Sequence, residues 1–469
     1  MLPLVEIPEL VRHYAPFFAA VFSPDAFAHF QRYVSGLIVS ENKTVDGINR
    51  LFVLDVRNQS SLNRWLTESP FSVDALNQAR LALLASLAGT QLKPQGVLSI
   101  DDTLLTHYGE HFDKIAYLYD STQGCYVWAH NLVNLHYSDD QTDYPVAFQV
   151  WEPAEVEGLE AGLGRAGIPL RPSKYVLKEQ APQKWRNYLL GLWRRHQHRP
   201  EVQQIYHSKL LIAQQLLTQF GAAHPERQLP VTFDNWYTQP AFCRFLHRTL
   251  QVPYVGTLAA DDQVLLASGA TRLETFAQSL QAEHQQALAH GKPPVFHKIL
   301  ISYKGGKETY YSYCHTHRIQ NFGKQRLVIN YRQADLSDSA LFFISNQLHW
   351  QAPGITRIRR HRWPVEVYHE EGKAEGLDQY QVRDFTAISR HIALVAVTYS
   401  LLRAAPHDPA LLHKLQRQIK TKLEGSAGSC QRNTQAQALW ALATFIATAL
   451  SQGQSLGEVM QPFIAAVAS

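Results

Sequence analysis

The stretch Val97-Leu98-Ser99-Ile100-Asp101-Asp102-Thr103 indicates how the rest of the chain is built. It is apolar up to Ile100 apart from one serine, which predicts a buried β-strand that ends in two carboxylates. A second stretch has the same form, because Val231-Thr232-Phe233 is followed at once by Asp234. A carboxylate at a strand end is held rigidly beside a cleft, which suits a ligand of a hard cation. We therefore predict that Asp101 and Asp234 come from neighbouring strands of one sheet.

The segments around these two strands predict a mixed α/β core. After Gly96 the pattern predicts three strands and then alternating helices and strands. The predicted elements are strands Val97–Ile100, Tyr126–Tyr137 and Tyr144–Trp151, helix Ser208–Phe220, strand Leu229–Phe233, helix Pro240–Leu250 and strand Tyr254–Leu258. This is the order of a ribonuclease H-like core.

Changes in pattern divide the chain into five segments. Residues 1–95 and 401–469 have helical periodicity, and residues 259–352 contain strand-like runs joined by glycine turns. We predict a helical N-terminal domain (1–95), the first part of the core (96–258), a β-rich insertion (259–352), the second part of the core (353–400) and a C-terminal helical region (401–469).

A third carboxylate is predicted on a helix. Arg362, Glu366 and Lys373 have helical spacing of i, i+4 and i+11, so a helix over Arg357–Leu377 places them on roughly one face. Pro364 is tolerated in a first turn, which would start the helix close to Trp363. Glu370 and Glu371 are expected to be solvated, and either would replace Glu366 if the helix has another register.

Two aspartates and a glutamate are a sufficient protein contribution for metal-assisted phosphodiester chemistry. Such chemistry uses two divalent cations about 3.5–4 Å apart, one to activate the nucleophile and one to stabilise the leaving oxygen. Magnesium keeps waters and takes phosphate oxygens as its remaining ligands. Asp102 is a second candidate beside Asp101, and Asp261-Asp262 is an alternative to Asp234.

Composition limits the other classes of function. The net charge is only +4, so any contact with nucleic acid depends on local basic clusters. Four cysteines lie far apart, which excludes a zinc ribbon and a disulfide framework and favours a reducing compartment. The N-terminus lacks a signal-peptide pattern, and apolar stretches such as 392–402 are shorter than the roughly 18 residues of a membrane span. A soluble cytoplasmic protein is predicted.

The three acidic segments together resemble the insertion-sequence transposases of the DDE class, whose third segment carries a Tyr-x2-Arg-x3-Glu-x6-Lys signature. Arg362, Glu366 and Lys373 match this spacing, whereas Arg359 stands where the signature has tyrosine. Asp101-Asp102-Thr103 resembles the first motif of the family, which favours Asp101 over Asp102, and residues 231–236 resemble the strand with the second aspartate. The resemblance covers about residues 96–383.

The resemblance implies a ribonuclease H-like fold with a β-rich insertion, and two Mg²⁺ ions, for which Mn²⁺ can substitute. It implies that Asp101, Asp234 and Glu366 are the catalytic metal ligands. The implied substrate is double-stranded DNA, namely terminal inverted repeats and target DNA, held by a homodimer in a prokaryotic cytoplasm near the nucleoid. The N-terminal helical region is the candidate for end recognition. The alternatives are a ribonuclease H-like nuclease that cuts without joining, and a transposase-derived DNA-binding protein without catalysis.

Basic residues supply the candidate DNA contacts. Arg359 and Arg360 precede the catalytic helix, and with Arg362 and Lys373 they are predicted to contact phosphates. A second group interleaves cations with aromatic residues and fits either DNA binding or a solvated helix face; it comprises Lys184, Arg194 and Arg195. Trp236, beside Asp234, is predicted to pack in the core, and the alternative is that it stacks on a displaced base.

Overall fold

The computed structural model describes residues 2–55, 57–171, 178, 181–419 and 427–468. Its first part is helical, as predicted. The N-terminal helices are α1 Glu9–Tyr14, a 3₁₀ helix Ala15–Val21, α2 Pro24–Val39, α3 Val45–Asn49, α4 Gln59–Glu68 and α5 Val73–Ser86. Their apolar residues belong to the main hydrophobic core of the protein.

The central part forms the first section of the sheet and its covering helices. These elements are β1 Val97–His107, β2 Ala116–Asp120, β3 Cys125–Ser138, β4 Asp143–Trp151, α6 Val156–Arg165, α7 Pro182–His196, α8 Pro200–Gln203, α9 Lys209–Ala223, β5 Val231–Phe233, α10 Pro240–Arg244 with a π-helical turn Phe245–Thr249, and β6 Tyr254–Leu258. The strands predicted from the sequence are all present, and β2 is an additional strand that the sequence analysis did not predict.

The next segment contains β7 Gln263–Leu266, β8 Gly269–Arg272, α11 Leu273–Ala289, β9 His297–Tyr303, β10 Gly306–Ile319, β11 Gly323–Tyr331 and β12 Leu341–Ser345. The 17-residue helix α11 was not expected in a segment predicted to be built of strands. The strands extend the core sheet, because β12 pairs antiparallel with β6.

The strand order confirms a ribonuclease H-like α/β fold. Its centre is the succession β4-β3-β1-β5-β6, in which the first three strands are antiparallel and β1, β5 and β6 are parallel. The sheet has twelve strands in all, with β12, β11, β10, β7 and β8 continuing beyond β6. The start of β1 is buried on both faces, which explains why its sequence does not alternate between apolar and polar residues.

The C-terminal part is helical: α12 Ala352–Arg360, α13 Trp363–Ala374, α14 Phe385–Ala404 with a 3₁₀ turn Ala405–His407, α15 Pro409–Ile419, α16 Ala427–Ser451 and α17 Leu456–Ala468. Helix α13 packs on β1, β3 and β4, and α14 packs behind it against α2, α4 and α5. These contacts join the N-terminal helices to the back of the central sheet.

Helix α14 corrects one sequence prediction. Within the described ranges, only the helical segment Phe385–His407 is long and apolar enough to cross a membrane, although the apolar stretches had been judged too short. Of its most apolar window, 83% is buried inside the protein. Burial among neighbouring helices accounts for its composition.

Candidate active site

The register of two parallel strands brings two aspartates together. Ile100 of β1 is paired with Phe233 of β5, and Asp101 and Asp234 are the next residues along the two strands. Strand β5 ends at Phe233, whereas β1 continues to His107 along its other neighbour, β3. The prediction that β1 ends before Asp101 was therefore wrong. The end of β5 leaves one edge of β1 open at Asp101, and a cleft lies there.

Asp101 and Asp102 have different surroundings, because successive side chains of a strand point to opposite faces. Oδ2 of Asp101 accepts a hydrogen bond from Nη1 of Arg362, immediately before α13, at 2.8 Å. Oδ2 of Asp102 accepts one from Nζ of Lys209, at the start of α9, at 2.9 Å. Asp101 is thus the member of the pair that lies on the side of Glu366.

Glu366 is connected to Asp101 through one guanidinium group. Nη2 of Arg362 donates a hydrogen bond to Oε1 of Glu366, while Nη1 donates to Asp101. Helix α13 begins at Trp363, as the position of Pro364 indicated, so the longer helix from Arg357 is not formed. The first helical turn carries Glu366, and proline is tolerated there because it needs no amide hydrogen bond.

The alternative acids lie in other environments. Glu370 is exposed, and Oε2 of Glu371 lies 3.4 Å from Nη2 of Arg403. Oδ2 of Asp262 accepts a hydrogen bond from the Ala259 amide at 2.8 Å, within the turn after β6. Asp234 instead lines the cleft with Asp101 and Asp102.

Burial and neighbouring carboxylates raise the pKa values of two of the acids. Burial raises the pKa of Asp101 to about 7, and the nearby Asp234 and Asp102 act in the same direction, while Arg362 opposes them. Burial also raises the pKa of Asp234, with Asp102 contributing. Neighbouring carboxylates contribute to both shifts, so a cation bound between the acids would favour their ionised forms.

The side chains of Asp101, Asp234 and Glu366 fit a hard divalent cation, since they offer only carboxylate oxygens. In the described part of the chain, no group of three or more His, Cys, Asp or Glu residues is arranged to hold a metal ion as it stands. The contacts of Arg362 give a physical reason, because its guanidinium occupies oxygen atoms of both Asp101 and Glu366. Asp101, Asp234 and Glu366 would hold the cation once those contacts are broken.

The predicted basic residues fall into three environments. Lys373 lines the cleft beside Asp101 and Asp234. Arg359 is largely enclosed, and its Nε donates to Oγ1 of Thr257 at 2.7 Å. Burial lowers the pKa of Arg359 to about 10, although Glu366, Asp234 and Asp101 oppose that shift, so the residue lies within electrostatic reach of the acids.

Arg360 and the α7 cations lie outside the cleft. Nε of Arg360 donates to both oxygens of Glu308, at 3.0 and 3.1 Å, and its guanidinium lies over the ring of Tyr303. The exposed cations of α7 are Lys184, Arg194 and Arg195. Helix α7 packs on α6 in a separate apolar cluster, and none of the described residues that line the acidic cleft comes from it.

Several cleft residues were missed or misplaced by the sequence analysis. Trp236 is 44% exposed, so its predicted packing in the core was wrong. Nζ of Lys209 lies 4.0 Å from the centroid of its ring. Tyr237 and Asn131 both donate hydrogen bonds to Asp102. The adjacency of Trp236 and Tyr237 to Asp234 was a usable signal, whereas Asn131 and Lys209 reach the cleft only through tertiary packing.

Comparison with known proteins agrees with this geometry. The model of a family described as DDE superfamily endonuclease matches residues 16–279, which is more than half of the chain. The matched segment includes Asp101 and Asp234 and ends before Glu366. No curated protein matches the sequence. The chain belongs to the DDE superfamily endonucleases.

Proposed function

We propose that this protein is a DNA transposase that cleaves the ends of its insertion sequence and joins the freed 3′-hydroxyls to target DNA. The observation that carries the proposal is that two aspartates from separate parts of the chain share one cleft, and that one of them shares an arginine with Glu366. Asp101 and Asp234 each follow a member of the last registered pair, Ile100 and Phe233, and Arg362 connects Asp101 to Glu366. Family membership supports the nuclease chemistry, and the spacing of Arg362, Glu366 and Lys373 supports the transposase branch.

In this proposal Asp101, Asp234 and Glu366 would hold two Mg²⁺ ions, or Mn²⁺ in their place. When bound, the ions would supply activation of the attacking oxygen and stabilisation of the leaving oxygen. The strands hold Asp101 and Asp234 rigidly, and α13 holds Glu366 at its first turn. Water first breaks a phosphodiester bond and leaves a 3′-hydroxyl, which then attacks a target phosphodiester in the same site.

The basic residues provide the proposed grip on DNA. Lys373 lies in the cleft, where its charge offsets repulsion between the acids and the phosphates. Arg362 can exchange its carboxylate partners for a phosphate when a cation takes its place. The exposed cations of α7 extend the contact beyond the cleft. We further propose that the N-terminal domain recognises the inverted repeats, and that a homodimer in the cytoplasm holds both ends.

A cleavage and joining assay tests the proposal. Labelled duplexes carrying the inverted repeats that flank the gene are incubated with target DNA and Mg²⁺ or Mn²⁺. The wild-type protein is compared with Asp101→Asn, Asp234→Asn and Glu366→Gln, and the control is Asp261→Asn, which changes an exposed aspartate in the turn after β6. We expect joined products from the wild type and the control, and DNA binding without cleavage from the other three variants.

The other outcomes separate the alternatives. Cleaved ends without joined products would identify a nuclease that cuts without joining. Binding without any cleavage by the wild type would identify a non-catalytic DNA-binding protein. Full activity of the Asp234→Asn and Glu366→Gln variants would contradict the proposed site.

A further inference from the structure

Asp102 has an environment that differs from that of the proposed metal ligands. Its Oδ1 accepts a hydrogen bond from the hydroxyl of Tyr237 at 2.8 Å. Its Oδ2 accepts one from Nδ2 of Asn131 at 2.6 Å and one from Nζ of Lys209 at 2.9 Å. An ionised carboxylate has about four acceptor positions, so three of them are already used. Asp102 is therefore poorly suited to bind a metal ion and well suited to hold a cationic side chain.

Lys209, which pairs with Asp102, lines the cleft. Nζ of Lys209 lies between Asp102 and the indole face of Trp236, 4.0 Å from the ring centroid. An ammonium group has three N–H donors, and these two contacts engage two of them. Among the described residues, no other acceptor contacts this nitrogen. Lys209, Asp102 and Trp236 line the cleft together with Asp101 and Asp234.

We infer that Lys209 binds a phosphate of the DNA strand in the cleft, and that Asp102 and Trp236 are its positioning residues. The inference rests on the proposed function, which brings DNA to this cleft. Lys209 comes from α9 and Lys373 from α13, so the two lysines that line the cleft are held by different helices. A compact ammonium group suits such a contact because it acts as a point charge toward any phosphate oxygen.

DNA binding without metal tests the role of Lys209. Fluorescence anisotropy of a labelled inverted-repeat duplex is measured in EDTA over a range of KCl concentrations. We expect Lys209→Gln to bind more weakly and to reduce the magnitude of the slope of log K against log salt by about 0.9, the value for one lost phosphate contact. Lys209→Arg should retain the wild-type slope. Lys114→Gln is the matched control, because Lys114 pairs with Glu155 at 2.7 Å outside the cleft.

A merely structural ion pair gives a different result. In that case Lys209→Gln would lower the melting temperature and leave the salt slope of the folded protein unchanged, which would overturn the inference. If the wild-type protein does not bind the duplex at all, the proposed function fails and this inference fails with it. The two failures are thus distinguished by the wild-type titration.

The role of Asp102 is tested by comparison with Asp101. We expect Lys209→Gln to weaken DNA binding in EDTA less in an Asp102→Asn background than in the wild type, because Lys209 has lost its charged anchor there. We expect Asp102→Asn to retain the rise in melting temperature that Mg²⁺ or Mn²⁺ produces. Asp101→Asn should lose that rise. If Asp102→Asn abolishes the metal-induced rise as well, Asp102 is a metal ligand and its assignment as a positioning residue is wrong.

Discussion

Nη1 of Arg362 donates a hydrogen bond to Oδ2 of Asp101 at 2.8 Å, although the two residues lie 261 positions apart in the sequence. The other terminal nitrogen of the same guanidinium contacts Glu366. Arg362 therefore forms ion pairs with two of the three proposed metal ligands. A divalent cation has to compete with this side chain for the same carboxylate oxygens.

Replacing Arg362 by glutamine tests that competition. We expect Arg362→Gln to lower the free energy of unfolding by about 1.5–3 kcal/mol without metal, the usual contribution of a hydrogen bond to a charged group. The variant should gain more stability than the wild type when Mg²⁺ is added, because the cation no longer displaces a guanidinium. Thermal unfolding with and without Mg²⁺ measures both effects. The control is Arg357→Gln, which breaks the ion pair with Asp140. If Mg²⁺ stabilises Arg362→Gln and the wild type equally, the metal does not compete with Arg362.

Metal binding should itself stabilise the wild-type fold. Mg²⁺ or Mn²⁺ would relieve the repulsion between Asp101 and Asp234, and a ligand at 100 times its Kd contributes about 2.7 kcal/mol to stability. We expect the melting temperature to rise with metal concentration in the wild type and to stay constant in Asp234→Asn. An unchanged melting temperature in the wild type up to millimolar metal would contradict the assignment of these carboxylates as ligands.

The strands that carry Asp101 and Asp234 and the helix that carries Glu366 could be predicted from the sequence because local patterns specify them. The apolar runs before Asp101 and Asp234 are short and end in charge, and Pro364 sets the start of α13. The position of Glu366 then follows from its spacing within the first turn. These features depend on neighbouring residues and do not require knowledge of tertiary contacts.

Other parts of the site depend on contacts that sequence patterns do not show. The end of β1 was misplaced because hydrogen bonding to β3 continues through Asp101 and Asp102, and two aspartates otherwise indicate a turn. Lys209 and Asn131 reach Asp102 from elements far apart in the chain. Trp236 was expected in the core because of its size, and its exposure follows from the position of its loop beside the cleft.

The exposed cations of α7 provide a test of DNA contact outside the acidic cleft. We expect the triple variant Lys184→Gln, Arg194→Gln, Arg195→Gln to bind DNA more weakly, with a salt slope smaller by up to about 2.7, because each lost phosphate contact contributes about 0.9. Cleavage at saturating DNA should be unchanged, since these residues lie outside the cleft. Anisotropy titrations and single-turnover cleavage measure the two quantities. An unchanged salt slope would identify this surface as a solvated helix face.

The acid stability of the protein should depend on Asp143, a buried carboxylate of β4. Its oxygens contact Nζ of Lys304 at 2.6 Å, the hydroxyl of Tyr399 at 2.9 Å and Nη2 of Arg403 at 3.1 Å. Burial alone would raise the pKa of Asp143, but Arg403, His136 and Lys304 hold it well below its ordinary value. These contacts join β4, the turn before β10, and α14.

The sign of the pH effect follows from this lowered pKa. The folded protein keeps Asp143 ionised, whereas the unfolded chain takes up a proton near the ordinary value of 3.8. The stabilisation is therefore fully present at neutral pH. It decreases by about 1.4 kcal/mol for each pH unit below 3.8. We expect Asp143→Asn to cost about 3–5 kcal/mol at pH 7, because it removes the buried charge with which Arg403 and Lys304 pair. Urea denaturation measures the free energy of unfolding of both proteins, and the difference between them should shrink as the pH falls below about 4. A difference that stays constant down to about pH 3 would show that the ionised carboxylate does not stabilise this part of the fold.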